Sequence, residues 1–335
     1  MRSPVALLLP MLFACRSTVR IDYMYPAEFT VPPDYKVVAV VDRVVDGSSG
    51  LATAGLRDAL AQSPTLKVAN PAAVNQSLAA VKVPNGQPLD RGSAEQICKG
   101  SGASGIVTLD GYRFGGDWSY EATTDVTTET VTEKPADCKD CPGVSKEVTH
   151  ETPATIARYG ALTSTNWSVI SCVGQPLSGK EVATGGGLEG RGEKQADARE
   201  DAGDPKDLEA QMARGNGAAF SVHISPRQVS TEREYFKGGS KDIRAGSKAA
   251  KADHWKQAEN AWERALKDDS AKVRGKAQLN LAVAAEHEGD IAEALKHARK
   301  ANRLLEGKKG SAEYLDVLSE RAALDRKVQD QLGGK

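Results

Sequence analysis

The feature that most limits how this chain can fold is the spacing of small and aromatic residues between Trp255 and Leu305. Ala258, Trp262 and Ala265 lie four and then three residues apart, so a helix puts all three on one face, with Leu266 beside them. Asn280-Leu281, Gly289-Asp290, Ala294, Ala298 and Ala301 repeat the scheme, and Ala258 and Ala294 stand 36 positions apart. Small residues let two helices approach closely, and the tryptophan or leucine fills the remaining gap. A glycine at 289 then makes the tight turn between helices. The pattern requires paired helices. Strand or a single uninterrupted rod in this region would overturn that reading. Ile243 and Gly246 extend the tract backward as a degenerate first helix, and Tyr314, Val317, Leu324, Val328 and Leu332 mark a last, capping helix.

This spacing resembles the tetratricopeptide repeat, whose period is about 34 residues. Its packing positions fall on Ala258, Trp262, Ala265, Leu281, Gly289, Ala294 and Ala301. The resemblance implies a groove for a protein or peptide partner, lined by the first-helix positions Leu279, Val283, Glu286 and His287. The plainer alternative is a helical spacer that binds nothing. Two units are fewer than the roughly three a free-standing array needs, so the tract is expected to pack on a neighbour or to dimerise. The basic set with which some such domains clamp a terminal carboxylate is not recognisable, which leaves the partner's chemistry open.

The first fifteen residues read as an export signal. Met1-Arg2-Ser3-Pro4 supplies a small positive start, and Val5 to Phe13 is apolar apart from Pro10. That length is typical of a secretory signal and far short of a membrane span. Leu12-Phe13-Ala14-Cys15 resembles the cleavage site of a bacterial lipoprotein, which implies a lipid on Cys15. Arg16 after that cysteine, in place of Asp, is compatible with the outer membrane where that sorting rule applies.

Cysteine usage agrees with an oxidising compartment. Setting Cys15 aside leaves Cys98, Cys138, Cys141 and Cys172, an even number. Sequence does not choose among the three possible pairings. Cys138 with Cys141 is the first guess, which leaves Cys98 with Cys172. The Cys138-Lys139-Asp140-Cys141 spacing also fits a thioredoxin-type redox pair, but it sits in a Pro/Gly-rich turn where no helix N-terminus is available to lower a thiol pKa. A zinc site using Cys138, Cys141 and His150 is a third option, weakened by the lack of a second such pair.

Residues 16–35 carry Pro26, Pro32 and Pro33 among polar residues and are expected to form a tether, with a short edge strand at Arg20–Met24. Residues 36–237 are expected to form a small mixed-sheet α/β domain. Val37 to Val41 is a continuous β-branched run, the mark of a strand buried on both faces. A helix through Leu51, Leu56 and Leu60 follows, then a strand at Leu66-Lys67-Val68. A helix with Val74 and Leu78 comes next, then one around Ala94–Lys99 and a strand at Ile106–Leu109. This order, with Gly102-Ala103-Ser104-Gly105-Ile106-Val107 as its small-residue turn and strand, resembles the curli-secretion-channel lipoprotein family. It also resembles that family's relatives, among them the amino-terminal domain of the Tol-Pal translocation protein. The resemblance bears on fold more than on activity. It also implies a ring-forming secretion component.

A long hairpin is expected over about 118–182. Thr-rich arms at Thr123–Glu133 and Val144–Thr152 flank a turn-rich tip, and Ala157, Tyr159, Ala161, Thr163, Thr165, Trp167 and Val169 alternate along one strand face. The curli resemblance raises a membrane pore, which requires every second residue of a ~9–11-residue strand to be apolar. Thr124, Val126, Thr128, Thr130 and Thr132 share one face, and Asp125, Glu129 and Glu133 lie on the other. Neither face suits lipid. Residues 185–204, glycine-rich and then charged, are expected to be a flexible loop, Leu208–Ile224 a helix, and Gly238-Gly239 the boundary with a helical domain at 238–335.

The fold class is therefore α+β or α/β: a mixed-sheet domain with an extended hairpin, followed by an all-α helical-hairpin domain. Net charge is −1, which gives no overall pull toward nucleic acid. Gly185 to Gly192 lacks the Gly-Lys-Ser/Thr of a phosphate loop. His223 lies two residues before Ser225 without a Gly-x-Ser-x-Gly elbow, and no nucleophile–base pair is legible. The reading is a non-enzymatic, lipid-anchored envelope scaffold with a protein partner and no cofactor, metal or nucleic acid. Its rivals are a thiol or zinc protein centred on Cys138 and Cys141, and an oligomeric secretion component.

Overall fold

The computed structural model describes residues 16–44, 47–81, 89–133, 144–308 and 310–333. The chain forms two units, and the second is inserted into the first: residues 1–27 with 226–335, and residues 28–225. The expected single boundary at 238–239 is thus replaced by two crossings, at 27/28 and 225/226.

The chain begins in the first unit with β1 (Arg16–Tyr25). This segment was expected to be a tether holding one short edge strand. All ten of its residues pair instead, antiparallel, with a strand more than two hundred residues away. Alternating Val19, Ile21 and Tyr23 give it one apolar face, which a tether would not need.

The inserted unit runs β2 (Val37–Asp42), α1 (Ser49–Leu60), β3 (Lys67–Val68), α2 (Pro71–Val81), α3 (Arg91–Ser101) and β4 (Gly105–Glu133). It continues with β5 (Val144–Ser171), β6 (Pro176–Gly192), α4 (Gln195–Ala202) and α5 (Pro205–Ile224). Strand order is β3-β2-β4-β5-β6, parallel at β3-β2-β4 and antiparallel onward. Both faces are covered. Val38 and Val40 meet Leu56 of α1 and Phe220 of α5, while Ala39 and Val41 meet Val74 of α2 and Ile97 of α3. That is why β2 reads as an unbroken apolar run. Asp90 caps α3 by accepting from the Ser93 N–H at 2.7 Å, and Asp204 caps α5, whose Pro205 sits at a first-turn position that needs no N–H. The expected alternation in β5 is present, with Ala157, Thr163, Thr165, Trp167 and Val169 all buried.

Two expectations change here. The strand at Ile106–Leu109 and the Thr-rich arm are one strand, β4, continuous across an irregularity between Leu109 and Gly111. Beyond Thr155, where β6 ends, β4 and β5 continue as a two-stranded ribbon from Thr123–Ala154 to Glu133–Val144. The flexible loop expected at 185–204 is the second half of β6 followed by α4. Its glycines serve close packing: a Cβ on Gly190 would collide with the Ala198 carbonyl and Ala202 amide of α4. Side chains there would lift the helix off the strand.

The first unit resumes with β7 (Arg227–Phe236), the partner of β1, then α6 (Lys241–Lys251), α7 (Trp255–Ala265), α8 (Ala271–His287), α9 (Ile291–Leu305) and α10 (Ser311–Leu332). Ser240 caps α6 and Asp290 caps α9. Gly289 turns between α8 and α9 at φ +84°. Ala258, Trp262, Ala265, Leu281, Ala294 and Ala301 are all buried, as paired helices with small-residue contacts require.

Candidate functional site

The groove expected on the first-helix face of the repeats is filled by the chain itself. Leu279, Val283 and Trp262 share one core with Ile21 of β1 and Tyr235 and Phe236 of β7. Asn280 treats β7 as a neighbouring strand would: its Oδ1 accepts from the Phe236 N–H and its Nδ2 donates to the Phe236 carbonyl, both at 2.7 Å. Glu286 is 1% exposed and receives Arg233 of β7 through Nε at 2.9 Å and Nη2 at 3.1 Å, with the Tyr314 hydroxyl donating at 2.8 Å. Burial, and the Glu286 charge beside it, push the Tyr314 phenol well above its ordinary value. His287 stacks on Trp255 with ring centroids 4.2 Å apart. Leu279, Val283 and Glu286 therefore hold the β1–β7 ribbon, while His287 packs on α7. A buried apolar and ionic face needs a partner, and the nearest one is in cis.

The ribbon is secured at its far end by α10. Gln331 pairs with the backbone of Ala27, accepting at 2.8 Å and donating at 3.0 Å, and Arg321 lies over the Tyr23 ring at 3.6 Å. One helical face that stays open lies between α9 and α10. A furrow of about 440 Å³ there is lined by Ile291, Leu295 and Ala322 together with Arg299, Asp325 and Arg326.

In the inserted unit the structure gathers residues that sequence reasoning left scattered. His223, in the last turn of α5, lies between Ser178 of β6 and Glu28. Its Nε2 is 2.8 Å from Ser178 Oγ, and its Nδ1 is 3.0 Å from Glu28 Oε2. The ring is held between Phe29, stacked at 6.0 Å, and Phe220 at 5.4 Å. Glu28 is fixed because the Phe29 N–H donates to the His223 carbonyl at 2.8 Å. Lys180, two residues along β6 and so on the same face as Ser178, also donates to Glu28. Lys180 first, and His223 second, hold the Glu28 carboxyl below its ordinary range. A carboxylate only accepts, so Nδ1 carries a proton, and in the neutral imidazole Nε2 presents the lone pair to which the Ser178 hydroxyl donates. Nothing local announces this group, since no motif links positions 28, 178 and 223.

A disulfide joins Cys98 on α3 to Cys172 just beyond β5. Cys15, Cys138 and Cys141 lie outside the described residues. Among the described residues, no three His, Cys, Asp or Glu side chains converge as a metal's ligands would, and no helix is long and apolar enough to cross a membrane.

A family model described as a domain of unknown function, DUF6340, matches residues 244–320, within the helical part of the first unit. No curated protein matches the chain. Among solved structures, a PelC dodecamer from Paraburkholderia phytofirmans is similar over 63% of this chain and 100% of its own, with 9% sequence identity and a TM-score of 0.25.

Proposed function

We propose that the protein is a lipid-anchored component of the cell envelope that recruits another protein. What supports this reading is the position of β1. Arg16, its first residue, follows Cys15 directly, and all ten β1 residues are committed to pairing with β7. A lipid on Cys15 would then pull on the helical unit itself, with at most a residue or so of slack at about 3.5 Å each. The expected tether does not intervene. The unit would ride at the membrane surface, in the outer membrane where the Arg16 sorting rule applies, and the residues 28–225 would be carried as its insertion.

Recruitment is assigned to the α9–α10 furrow, because the other helical face is occupied by β1 and β7. Its lining is partly apolar, its carboxylate Asp325 is already paired with Arg321, and Arg299 and Arg326 make no ion pair among the described residues. That combination fits an amphipathic segment bearing carboxylates, with apolar anchors giving affinity and charge giving orientation. The test has two arms in the full chain. Cys15→Ala should abolish fatty-acid labelling and move the protein from the membrane to the soluble fraction. Leu295→Glu with Ala322→Glu should remove the crosslinks made by a photoreactive residue at Arg299, with membrane attachment and the helical circular dichroism signal retained although Leu295 packs on the helical core. A Cys15→Ala protein that stays membrane-bound would refute the anchor, and crosslinks indifferent to the furrow variants would refute the surface.

A second reading, self-assembly, is favoured by one observation. From Gly111 to Glu133, β4 has a strand neighbour on one side only among the described residues, and it contains no Lys or Pro to discourage pairing. Light scattering on the detergent-solubilised chain decides it: a closed oligomer that Thr124→Pro dissociates supports the idea, and a monomer eliminates it.

A further inference from the structure

We infer that Ser178, His223 and Glu28 form a hydrolytic site for carboxylic esters, an activity independent of the recruiting role. Three observations carry it. The order of contacts is that of nucleophile, base and orienting acid: Ser178 Oγ to His223 Nε2 at 2.8 Å, and Nδ1 to Glu28 Oε2 at 3.0 Å. Phe29 and Phe220 hold the ring plane so that Nε2 keeps facing Ser178. Third, Ser178 is half-buried on β6, the edge strand of its sheet. On the outer side of an edge strand, backbone N–H groups that face away from the neighbouring strand are the donors a developing oxyanion would use.

The step balances with water alone. Ser178 Oγ bonds to the ester's carbonyl carbon while His223 Nε2 takes the hydroxyl proton, and the carbonyl π pair moves onto oxygen. That pair returns as the bond to the alcohol oxygen breaks, and the departing oxygen takes the proton from Nε2. Water then repeats the sequence on the acyl-serine: Nε2 takes one water proton, the oxygen adds to the acyl carbon, and Ser178 leaves with the proton. Ester and water become acid and alcohol. Ser178 and His223 are the catalytic residues. Glu28 is a positioning residue, which fixes the tautomer and faces the imidazolium as it forms, and Lys180 keeps it ionised.

The test uses the full chain in detergent and a fluorophosphonate probe, followed by peptide mass spectrometry. One adduct per chain on Ser178 is expected, absent from heat-unfolded protein. His223→Gln should slow labelling by about 100-fold, the low end of what a positioned general base contributes. Glu28→Gln should slow it and shift its pH profile, with Glu28→Asp restoring most of the rate. Hydrolysis of p-nitrophenyl acetate should disappear in Ser178→Ala. Circular dichroism and melting of each variant separate lost chemistry from lost folding. No adduct on Ser178 in the folded wild-type protein overturns the inference. So does an adduct that forms equally fast in a folded His223→Gln protein.

Discussion

Glu286 in the first unit and Glu28 in the insertion are both carboxylates held by a cation, and the two sites differ chiefly in access to water. In the first unit, Glu286 is sealed, with its side chain 0% exposed and Arg233 only 15%. In the insertion, Glu28 is 48% exposed and Lys180 35%. The sealed group is a fastener. Its charges cannot be exchanged for water, so it ties the β1–β7 ribbon to α8 and α10 and nothing else can approach it. The open group has a histidine nitrogen 2.8 Å from the hydroxyl of Ser178, which is half-buried where Glu286 is sealed. Similar side chains thus make a rivet in one place and a reactive relay in the other.

The largest effect is expected at the sealed site. Glu286→Ala leaves Arg233 and Tyr314 buried without their acceptor and should destabilise the first unit by about 3–5 kcal/mol, measured by denaturant unfolding. A loss under about 1 kcal/mol would mean that water reaches the site after all. A smaller effect is expected from Cys98→Ser with Cys172→Ser, at about 2–4 kcal/mol. That loss should fall on the insertion alone, so calorimetry should show one of two transitions moving. If both move together, the units do not melt independently.

The smallest effect is expected at the open pair. Lys180→Ala should cost about 0–1 kcal/mol, because solvent screens two half-exposed charges. Its pH signature is more telling. The folded state holds the Glu28 carboxyl below its ordinary value of 4.5, so its contribution is present above that pH and fades as pH falls below it. Lys180→Ala removes the largest cause of the shift and should flatten that acid dependence. An unchanged acid limb in the variant would show that Lys180 does not hold Glu28.

Much of the architecture is visible in local pattern. The run Val37–Val41 announces a strand covered on both faces, and the period-two set in β5 marks its buried side. The seven-residue scheme around Trp262 marks the faces along which helices pair. Each of these is a repeat within one window of chain, set by helix or strand geometry. The misread places share a different cause. Gly190 looks like flexibility because a glycine's role depends on whether a backbone lies above it, and α4 does. Leu279 and Val283 look like groove positions because an apolar helical face reads the same whether a ligand or β7 covers it. Ser178, His223 and Glu28 are invisible because each is an ordinary residue until the other two arrive.

From its own periodicities, then, the chain determined which residues are apolar together, where helices start and stop, and that two kinds of layer would form. Tertiary structure alone decided what covers each face. Arg16–Tyr25 rather than a partner closes the helical groove, and a glutamate from before the sheet meets a histidine from after it. The physical reason is that burial and hydrogen bonding belong to pairs of surfaces, whereas a stretch of sequence describes only one member of each pair.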